Sequence, residues 1–321
     1  MKLSVVIPIY NEEENIRPLY EELSEVLQSL DHTSEIVFVD DGSSDRSLEL
    51  LTAVQQQDER VVVVSFRRNF GQTAAMAAGF DYATGDVIVT MDGDMQNDPH
   101  DIPALLAKME EGYDLVSGWR FDRQDAFINR KLPSMIANKL ISIVTGVHLH
   151  DYGCTLKMFR REITKGIRLY GEMHRFIPAI ASGMGSRIAE VKVNHRPRRF
   201  GTSKYGISRT LRVILDLMTV KFLLSYATRP IQVFGMLGII SGSLGFFIAL
   251  VMTIQRQFFG IPLGNRPLLL LAVLLIFMGM QFVSMGLLGE LQARTYFETQ
   301  NKPIYTVRRV LGGQNKEGDQ E

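Results

Sequence analysis

The chain of 321 residues has one cysteine, Cys154, and one tryptophan, Trp119. A single thiol excludes an internal disulfide and any metal site built from several cysteines. There is no surplus of charge either, since 35 Lys and Arg balance 35 Asp and Glu. That balance removes the electrostatic footprint of a nucleic-acid surface, and no nucleic-acid partner is expected. No G-x-G-x-x-G follows the first strand and no G-x-x-x-x-G-K-[ST] occurs anywhere. The glycine cradles of dinucleotide dehydrogenases and P-loop NTPases are thereby excluded. Met1-Lys2 leads straight into a strand pattern with no secretory leader, so the N-terminal part is expected in the cytoplasm.

Long stretches without charge are present near the other end. Ile231 to Ile254 is 24 residues without one, and Pro267 to Gly289 is another 23. At a rise of about 1.5 Å per residue, each run exceeds a bilayer core of roughly 30 Å. The loop between them carries only Arg256 and Arg266. Arg209, Arg212, Lys221 and Arg229 precede the first run, and Arg294, Lys302, Arg308 and Arg309 follow the second. This bias predicts two membrane spans with both ends in the cytoplasm. Gly235, Gly238, Gly242 and Gly245 permit close helix packing, and a homo-oligomer is one use for it.

The first 200 residues alternate strand and helix patterns. Leu3–Ile9 is a strand, and Asn11 is placed to cap the helix marked by Ile16, Leu19, Leu23, Val26 and Leu27. Strands at 35–39, 60–66, 87–90 and 114–118 follow, with helices at 73–83 and 99–111 between them, and 187–194 is a further strand. Such alternation predicts a mostly parallel, doubly wound sheet. Ligands of these sheets bind beyond the carboxyl ends of the strands. Tyr10, Glu12, Asp40, Asp92, Asp94 and Arg120 are all expected there.

Val87-Ile88-Val89-Thr90-Met91-Asp92-Gly93-Asp94-Met95-Gln96 is the most informative stretch. Read as extended chain, it puts Asp92, Asp94 and Gln96 on one side, facing one hard cation. Oxygen ligands suit Mg²⁺ or Mn²⁺, which commonly bridge to substrate phosphates. Farther on, Arg196-Pro197-Arg198-Arg199-Phe200-Gly201-Thr202-Ser203-Lys204 is dense in cations and hydroxyls, a composition suited to phosphates. His148, His150 and Asp151 lack a fourth partner for zinc. Residues 207–229 read as a basic amphipathic helix lying in the membrane interface.

Taken together, Val5 to Glu12, Asp40-Asp41-Gly42-Ser43, Asn69-Phe70-Gly71 and Asp92 to Gln96 resemble glycosyltransferase family two. Within it, Asp151-Tyr152-Gly153-Cys154, Arg198 with Gly201 to Lys204, and the paired apolar runs are similar to the polyprenyl-phosphate glycosyltransferases. The resemblance implies an α/β, Rossmann-like GT-A domain with a mostly parallel sheet, followed by an amphipathic interfacial helix and two transmembrane helices. It divides the chain into a catalytic domain (1–206), a juxtamembrane helix (207–229), two spans (230–290) and a cytoplasmic tail (291–321). It also implies inverting transfer of a hexose from a UDP- or GDP-linked donor to a polyprenyl phosphate such as undecaprenyl phosphate. The setting implied is the cytoplasmic face of the inner (plasma) membrane. By the same resemblance Pro8, Tyr10, Glu12 and Asp40 line the nucleotide-base pocket, and Asp92, Asp94 and Gln96 hold Mg²⁺ or Mn²⁺. Arg120, Arg130, Arg198, Ser203 and Lys204 contact donor or lipid phosphates. Asp94, Asp151, Arg120, Arg198 and Lys204 form the catalytic set, with Asp151 either orienting a sugar hydroxyl or acting as a weak base. Relatives more often have Asp-Ala-Asp where this chain has Asp92-Gly93-Asp94, a change expected to be silent because residue 93 points away. The Q-x-x-R-W motif of processive polysaccharide synthases is absent, since Gly118 precedes Trp119.

Overall fold

The computed structural model describes residues 1–121, 138–139, 141–142, 145–167, 169, 173–197, 231–260, 262, 267–299 and 303–313. Arg130, Arg198, Ser203, Lys204 and the expected interfacial helix at 207–229 lie outside them. The chain divides into two compact units, 1–220 with 303–321, and 221–302.

The first unit is built on strands β1 (Lys2–Ile9), β2 (Thr33–Asp40), β3 (Val61–Phe66), β4 (Val87–Thr90), β5 (Leu115–Arg120), β6 (Lys157–Arg160), β7 (Ile188–Val193) and β8 (Val307–Leu311). They form one sheet in the order β7-β5-β6-β4-β1-β2-β3-β8. The pairs β1–β2, β1–β4, β2–β3 and β5–β7 are parallel, as the alternation predicts. β6 runs antiparallel between β4 and β5, and β8 runs antiparallel along β3. Helices α1 (Glu13–Ser29), α2 (Ser47–Gln57), α3 (Gln72–Tyr82) and α4 (Ile102–Glu110) connect the early strands. Two shorter helices, α5 (Arg161–Gly166) and α6 (Ile177–Gly183), follow β6.

Both faces of the central strands are covered, which is why they read as unbroken apolar runs rather than alternating ones. All six residues of β3 are buried, and Leu3, Val5, Ile7, Ile36, Phe38, Val63 and Val89 are fully so. α1 presents Ile16, Leu19, Leu23, Val26 and Leu27 inward, with Glu13 and Glu14 in its first turn, where the helix dipole favours acid. Asn11 does not cap it. The residue takes a left-handed φ of 53°, and its Oδ1 accepts from the Ser44 amide at 2.8 Å. The Asn11 amide donates to Ser43 Oγ at 3.0 Å. Asn11 therefore ties the loop after β1 to the loop after β2.

β8 arises from a segment that reads as a tail. Leu311, Val310 and Arg309 pair with Val63, Val64 and Ser65, and the Arg67 amide donates to the Thr306 carbonyl at 3.1 Å. The strand closes one edge of the sheet.

The second unit contains α7 (Ile231–Phe259) and α8 (Pro267–Thr299), an antiparallel pair. A Cβ on Gly238 would lie 2.8 Å from the Gly279 carbonyl, and one on Gly279 would lie 2.7 Å from that of Gly238. These glycines therefore let the two helices of one chain approach closely. Ser241 Oγ adds a bond to the Leu275 carbonyl at 3.1 Å. Apolar side chains face outward along both helices, Ile239, Phe246 and Leu270 among them. Phe234–Phe259 and Pro267–Gly289 are long and apolar enough to cross a membrane.

Candidate active site

The loops leaving the carboxyl ends of β1, β2, β3, β4 and β5 carry the predicted polar residues. Tyr10, at the exit of β1, is exposed. Pro8 lies within β1 opposite Val39, and Glu12 accepts from Asn15 Nδ2 at 2.7 Å while its amide donates to Ser47 Oγ. Asp40 ends β2 and is almost completely buried; it accepts from the Ser43 amide at 3.0 Å and from Ser65 Oγ at 2.9 Å. Asp41 beside it accepts from the amides of Phe70 (2.7 Å) and Gly71 (2.9 Å), so one carboxylate shapes the loop that launches α3. Burial, with a smaller contribution from the Asp40 charge, pushes the Asp41 carboxyl up to about 6 against those two amide bonds.

The stretch after β4 departs from the expected geometry. The strand ends at Thr90, and Gly93-Asp94 form a turn with Met95 at a left-handed φ of 59°. Extended alternation therefore does not describe Asp92 to Gln96; a turn joins Asp92 to Asp94, and Gln96 meets Asp94 through its backbone amide. The Gln96 amide donates to Asp94 Oδ1 at 3.1 Å, and the Asp92 amide donates to Asn97 Oδ1 at 2.9 Å. Residue 93 is also not indifferent. A Cβ there would stand 2.5 Å from Ile9 Cδ1 and 3.1 Å from the Pro8 carbonyl, so alanine would require Ile9 to shift.

Asp92 is the hub. Its Oδ1 accepts from Gln72 Nε2 at 2.9 Å and its Oδ2 from Thr155 Oγ1 at 2.5 Å. Burial, then the neighbouring Asp94 charge, pushes its carboxyl up to about 6, opposed by the Thr155 bond and by Arg120 and Lys157. Two neighbouring carboxylates in a buried turn, with the Asp94 charge raising the proton affinity of Asp92, could serve as oxygen donors to a hard divalent cation.

Arg120 and Asp151 form a bidentate pair, with Nε to Oδ2 at 2.7 Å and Nη2 to Oδ1 at 3.0 Å. The Gly153 amide donates to Oδ1 as well. Burial works against the guanidinium charge, yet Asp151 raises its pKa above the ordinary range. Lys157, buried at the start of β6, donates to the carbonyls of Cys154 and Tyr152, and burial lowers its pKa. That lysine fastens the loop which supplies Asp151 to Arg120 and Thr155 to Asp92.

The basic loop begins beside the turn. The Arg196 amide donates to the Gln96 carbonyl at 3.0 Å, and Asn97 bridges His195. Arg198, Ser203 and Lys204 follow in sequence but lie outside the described residues, as does Arg130. Among the described residues, Glu22, Asp98 and His100 are close enough to share an ion. Arg196 already occupies that place, 2.7 Å from Glu22 and 2.8 Å from Asp98. His150 stacks on Trp119 and bonds Glu190 at 2.8 Å, so it is not grouped with Asp151 as a metal ligand.

Gln72, Thr155 and Asn97 make side-chain bonds around Asp92 that the sequence reading does not anticipate, while Asp41 and Lys157 are singled out in the sequence without these contacts. Gln72 directly follows the Asn69-Phe70-Gly71 motif and Thr155 follows Cys154, so proximity to motifs was the available signal.

A mixed, mostly parallel sheet with acids gathered beyond its carboxyl ends is the GT-A architecture of nucleotide-sugar glycosyltransferases. Glucosyl-3-phosphoglycerate synthase from Mycobacterium tuberculosis shares the fold. Its complex with Mn²⁺, UDP and phosphoglyceric acid matches at a TM-score of 0.53 and 20% identity, over 68% of this chain and 78% of that one. Its complex with Mn²⁺ and UDP-glucose matches at a TM-score of 0.54 and 19% identity, over 70% and 78%. The chain belongs to glycosyl transferase family 2, whose model matches residues 4–168. It is 46% identical to dodecaprenyl-phosphate galacturonate synthase of Rhizobium johnstonii over 98% of this chain and 95% of the relative. It is 39% identical to undecaprenyl-phosphate 4-deoxy-4-formamido-L-arabinose transferase of Yersinia enterocolitica over 100% and 97%. The protein is thus a glycosyltransferase, and its two apolar helices make it a membrane protein.

Proposed function

We propose that this enzyme moves a sugar from a nucleotide donor to a polyprenyl phosphate at the cytoplasmic face of the inner membrane, with inversion. The observation that carries this reading is the near-full-length similarity to two polyprenyl-phosphate sugar transferases, spanning both the acidic turn and the apolar helices. The sugars named for those relatives are a uronic acid and a formamido pentose, so the expected hexose widens to a sugar of unspecified class.

Asp92, Asp94 and Gln96 hold Mg²⁺ or Mn²⁺ in this reading, and Pro8, Tyr10, Glu12 and Asp40 line the base pocket. When bound, the ion supplies charge neutralisation on the diphosphate. Arg120, locked in one orientation by Asp151, presents its guanidinium to developing negative charge without reorganising. That assigns Asp151 to positioning: both of its oxygens are engaged by Arg120, which disfavours the weak-base alternative. Arg130, Arg198, Ser203 and Lys204 complete the phosphate contacts. A phosphate monoester has its last pKa near ~6 and is already ionised at neutral pH, so a strong general base is dispensable. Its oxygen attacks the anomeric carbon as the bond to the nucleoside diphosphate breaks on the opposite face.

Two membrane crossings follow from the same reading. β8 comes after both apolar helices yet pairs with β3, which precedes them, and this pairing supports a reading in which the chain leaves and returns on one side. The flanking Arg and Lys favour the cytoplasm for that side. Residues 1–206 form the catalytic domain, 207–229 the interfacial helix and 230–290 the spans, while of the tail 291–321 the segment 303–313 joins the catalytic unit. Homo-oligomerisation remains part of the proposal, with the outward apolar faces of α7 and α8 open to a second copy.

The test is a donor screen with purified protein, undecaprenyl phosphate and Mg²⁺ or Mn²⁺, following glycolipid by mass spectrometry. The panel contains UDP- and GDP-hexoses together with nucleotide-linked galacturonate and 4-deoxy-4-formamido-L-arabinose. A metal-dependent lipid product from one donor is expected. Polymer, or nucleotide release with no glycolipid, would transfer the reading to a polysaccharide synthase; tight nucleotide binding without turnover would make the chain a non-catalytic subunit.

A further inference from the structure

The segment that follows α8 grips both ends of the element carrying Gln72. Tyr305 Oη donates to Asp81 Oδ2 at 2.7 Å, near the C-terminal end of α3. Its ring stacks on Phe66 at 5.1 Å between centroids and 14° between planes. Phe66 in turn meets Phe70 edge-on at 5.7 Å. Thr306 accepts from the Arg67 amide, and β8 pairs with β3 immediately before this loop. The 67–71 loop and α3 are therefore held by Tyr305 at one side and by the Asp41 carboxylate at the other. A third hold is the 2.7 Å contact between Thr73 Oγ1 and the buried His174 ring. The product of these holds is the 2.9 Å bond from Gln72 Nε2 to Asp92.

We infer that residues 303–311 are a positioning strap for Asp92, acting through Tyr305, the 67–71 loop and Gln72. The inference rests on the proposed metal and donor role of Asp92. It gives the strand beyond the membrane a function other than closing a sheet edge. Tyr305 touches no reacting atom in this account; it fixes the outer partner of a ligand, and such partners are typically worth about 10–100-fold in metal affinity.

The test uses full-length protein in detergent, with Mn²⁺ binding in the presence of UDP measured by calorimetry. Gln72→Ala is expected to weaken Mn²⁺ by about 10–100-fold, and Tyr305→Ala by a smaller factor of about 3–10. The Gln72→Ala/Tyr305→Ala double variant should bind no more weakly than Gln72→Ala alone, because both changes remove the same link. Tyr305→Phe keeps the ring stack, loses the Asp81 bond and serves if the alanine variant fails to fold. Additive losses, or a lower melting temperature with unchanged Mn²⁺ affinity, would overturn the strap and leave a purely structural strand. Hydrogen exchange at the Phe70 and Gly71 amides, measured without ligand, should accelerate in Tyr305→Ala, which removes the ring stack on Phe66, and unaltered protection would also overturn it. Failure of the unmodified protein to bind Mn²⁺ would instead overturn the metal reading and with it the strap's role there. The exchange result separates that outcome from a loop the strap does not hold.

Discussion

The pair Arg120–Asp151 offers the sharpest quantitative test of the site. Their side chains are 15% and 4% exposed, and two bonds of 2.7 and 3.0 Å join them. Removing one member of a buried pair leaves the other charge uncompensated and costs about 3–5 kcal/mol. Asp151→Asn and Arg120→Gln are each expected to fall in that range. Losing both together removes the stranded charge, so the double variant should cost about 3 kcal/mol less than the sum of the singles. For a domain of this size about 1 kcal/mol moves the midpoint by roughly 2–4 °C, so each single change lowers it by roughly 6–20 °C. Thermal unfolding of the four proteins in detergent, with bound nucleotide absent, gives the cycle directly. Additivity of the two changes would refute the claim that Asp151 exists to hold Arg120. Kinetics add a second check: a holder lowers kcat without moving the acid limb of the pH profile, whereas a base removes that limb.

Three further outcomes are expected of the same site and of the helix pair. Asp94→Asn should abolish turnover while leaving nucleotide-independent folding intact, as read by glycolipid formation and a melting curve; full activity would remove the acidic turn from the mechanism. Asp41 has a folded pKa raised from 3.8 to about 6, so its protonated form is favoured in the folded state. Stability from this group is complete below about pH 4 and is lost as pH rises through 6, by about 3 kcal/mol at ~1.4 kcal/mol per unit. Relative to the unmodified protein, Asp41→Asn should therefore gain stability between pH 4 and pH 7 in denaturant titrations, and a constant difference would contradict the shift. Gly238→Ile places a branched side chain where even a Cβ would lie 2.8 Å from the Gly279 carbonyl, so it should separate α7 from α8 and lower yield of folded protein. Gly242, where a Cβ would meet nothing within 4 Å, is the comparison position.

Much of this arrangement was legible in the sequence because buried parallel strands announce themselves as apolar runs. β1 to β4 and the acids at their ends were readable for that reason. β6 was not: Lys157–Arg160 is four residues long, flanked by charge at both ends, and finds its place only by antiparallel pairing between β4 and β5. β8 was hidden because Arg308 and Arg309 occupy its middle, as an edge strand with one free side tolerates. In the site itself, carboxylates and arginines stood out by charge. Gln72 and Thr155 are neutral donors, and their bonds to Asp92 span 20 and 63 residues of chain. The extended reading of Asp92 to Gln96 failed on backbone grounds, since Gly93 admits the turn and Met95 adopts a positive φ. Asn11 failed as a cap because its side chain found a partner in the neighbouring loop.

The acceptor is the centre of the account, and it can be tested with one matched pair of lipids. Purified enzyme, its own donor and Mn²⁺ should be given undecaprenyl phosphate in one reaction and undecaprenol in the other. The account predicts a monoglycosylated, inverted product from the phosphate and none from the alcohol, because only the phosphate arrives already ionised. Equal glycosylation of undecaprenol, or sugar polymer formed without either lipid, would contradict it.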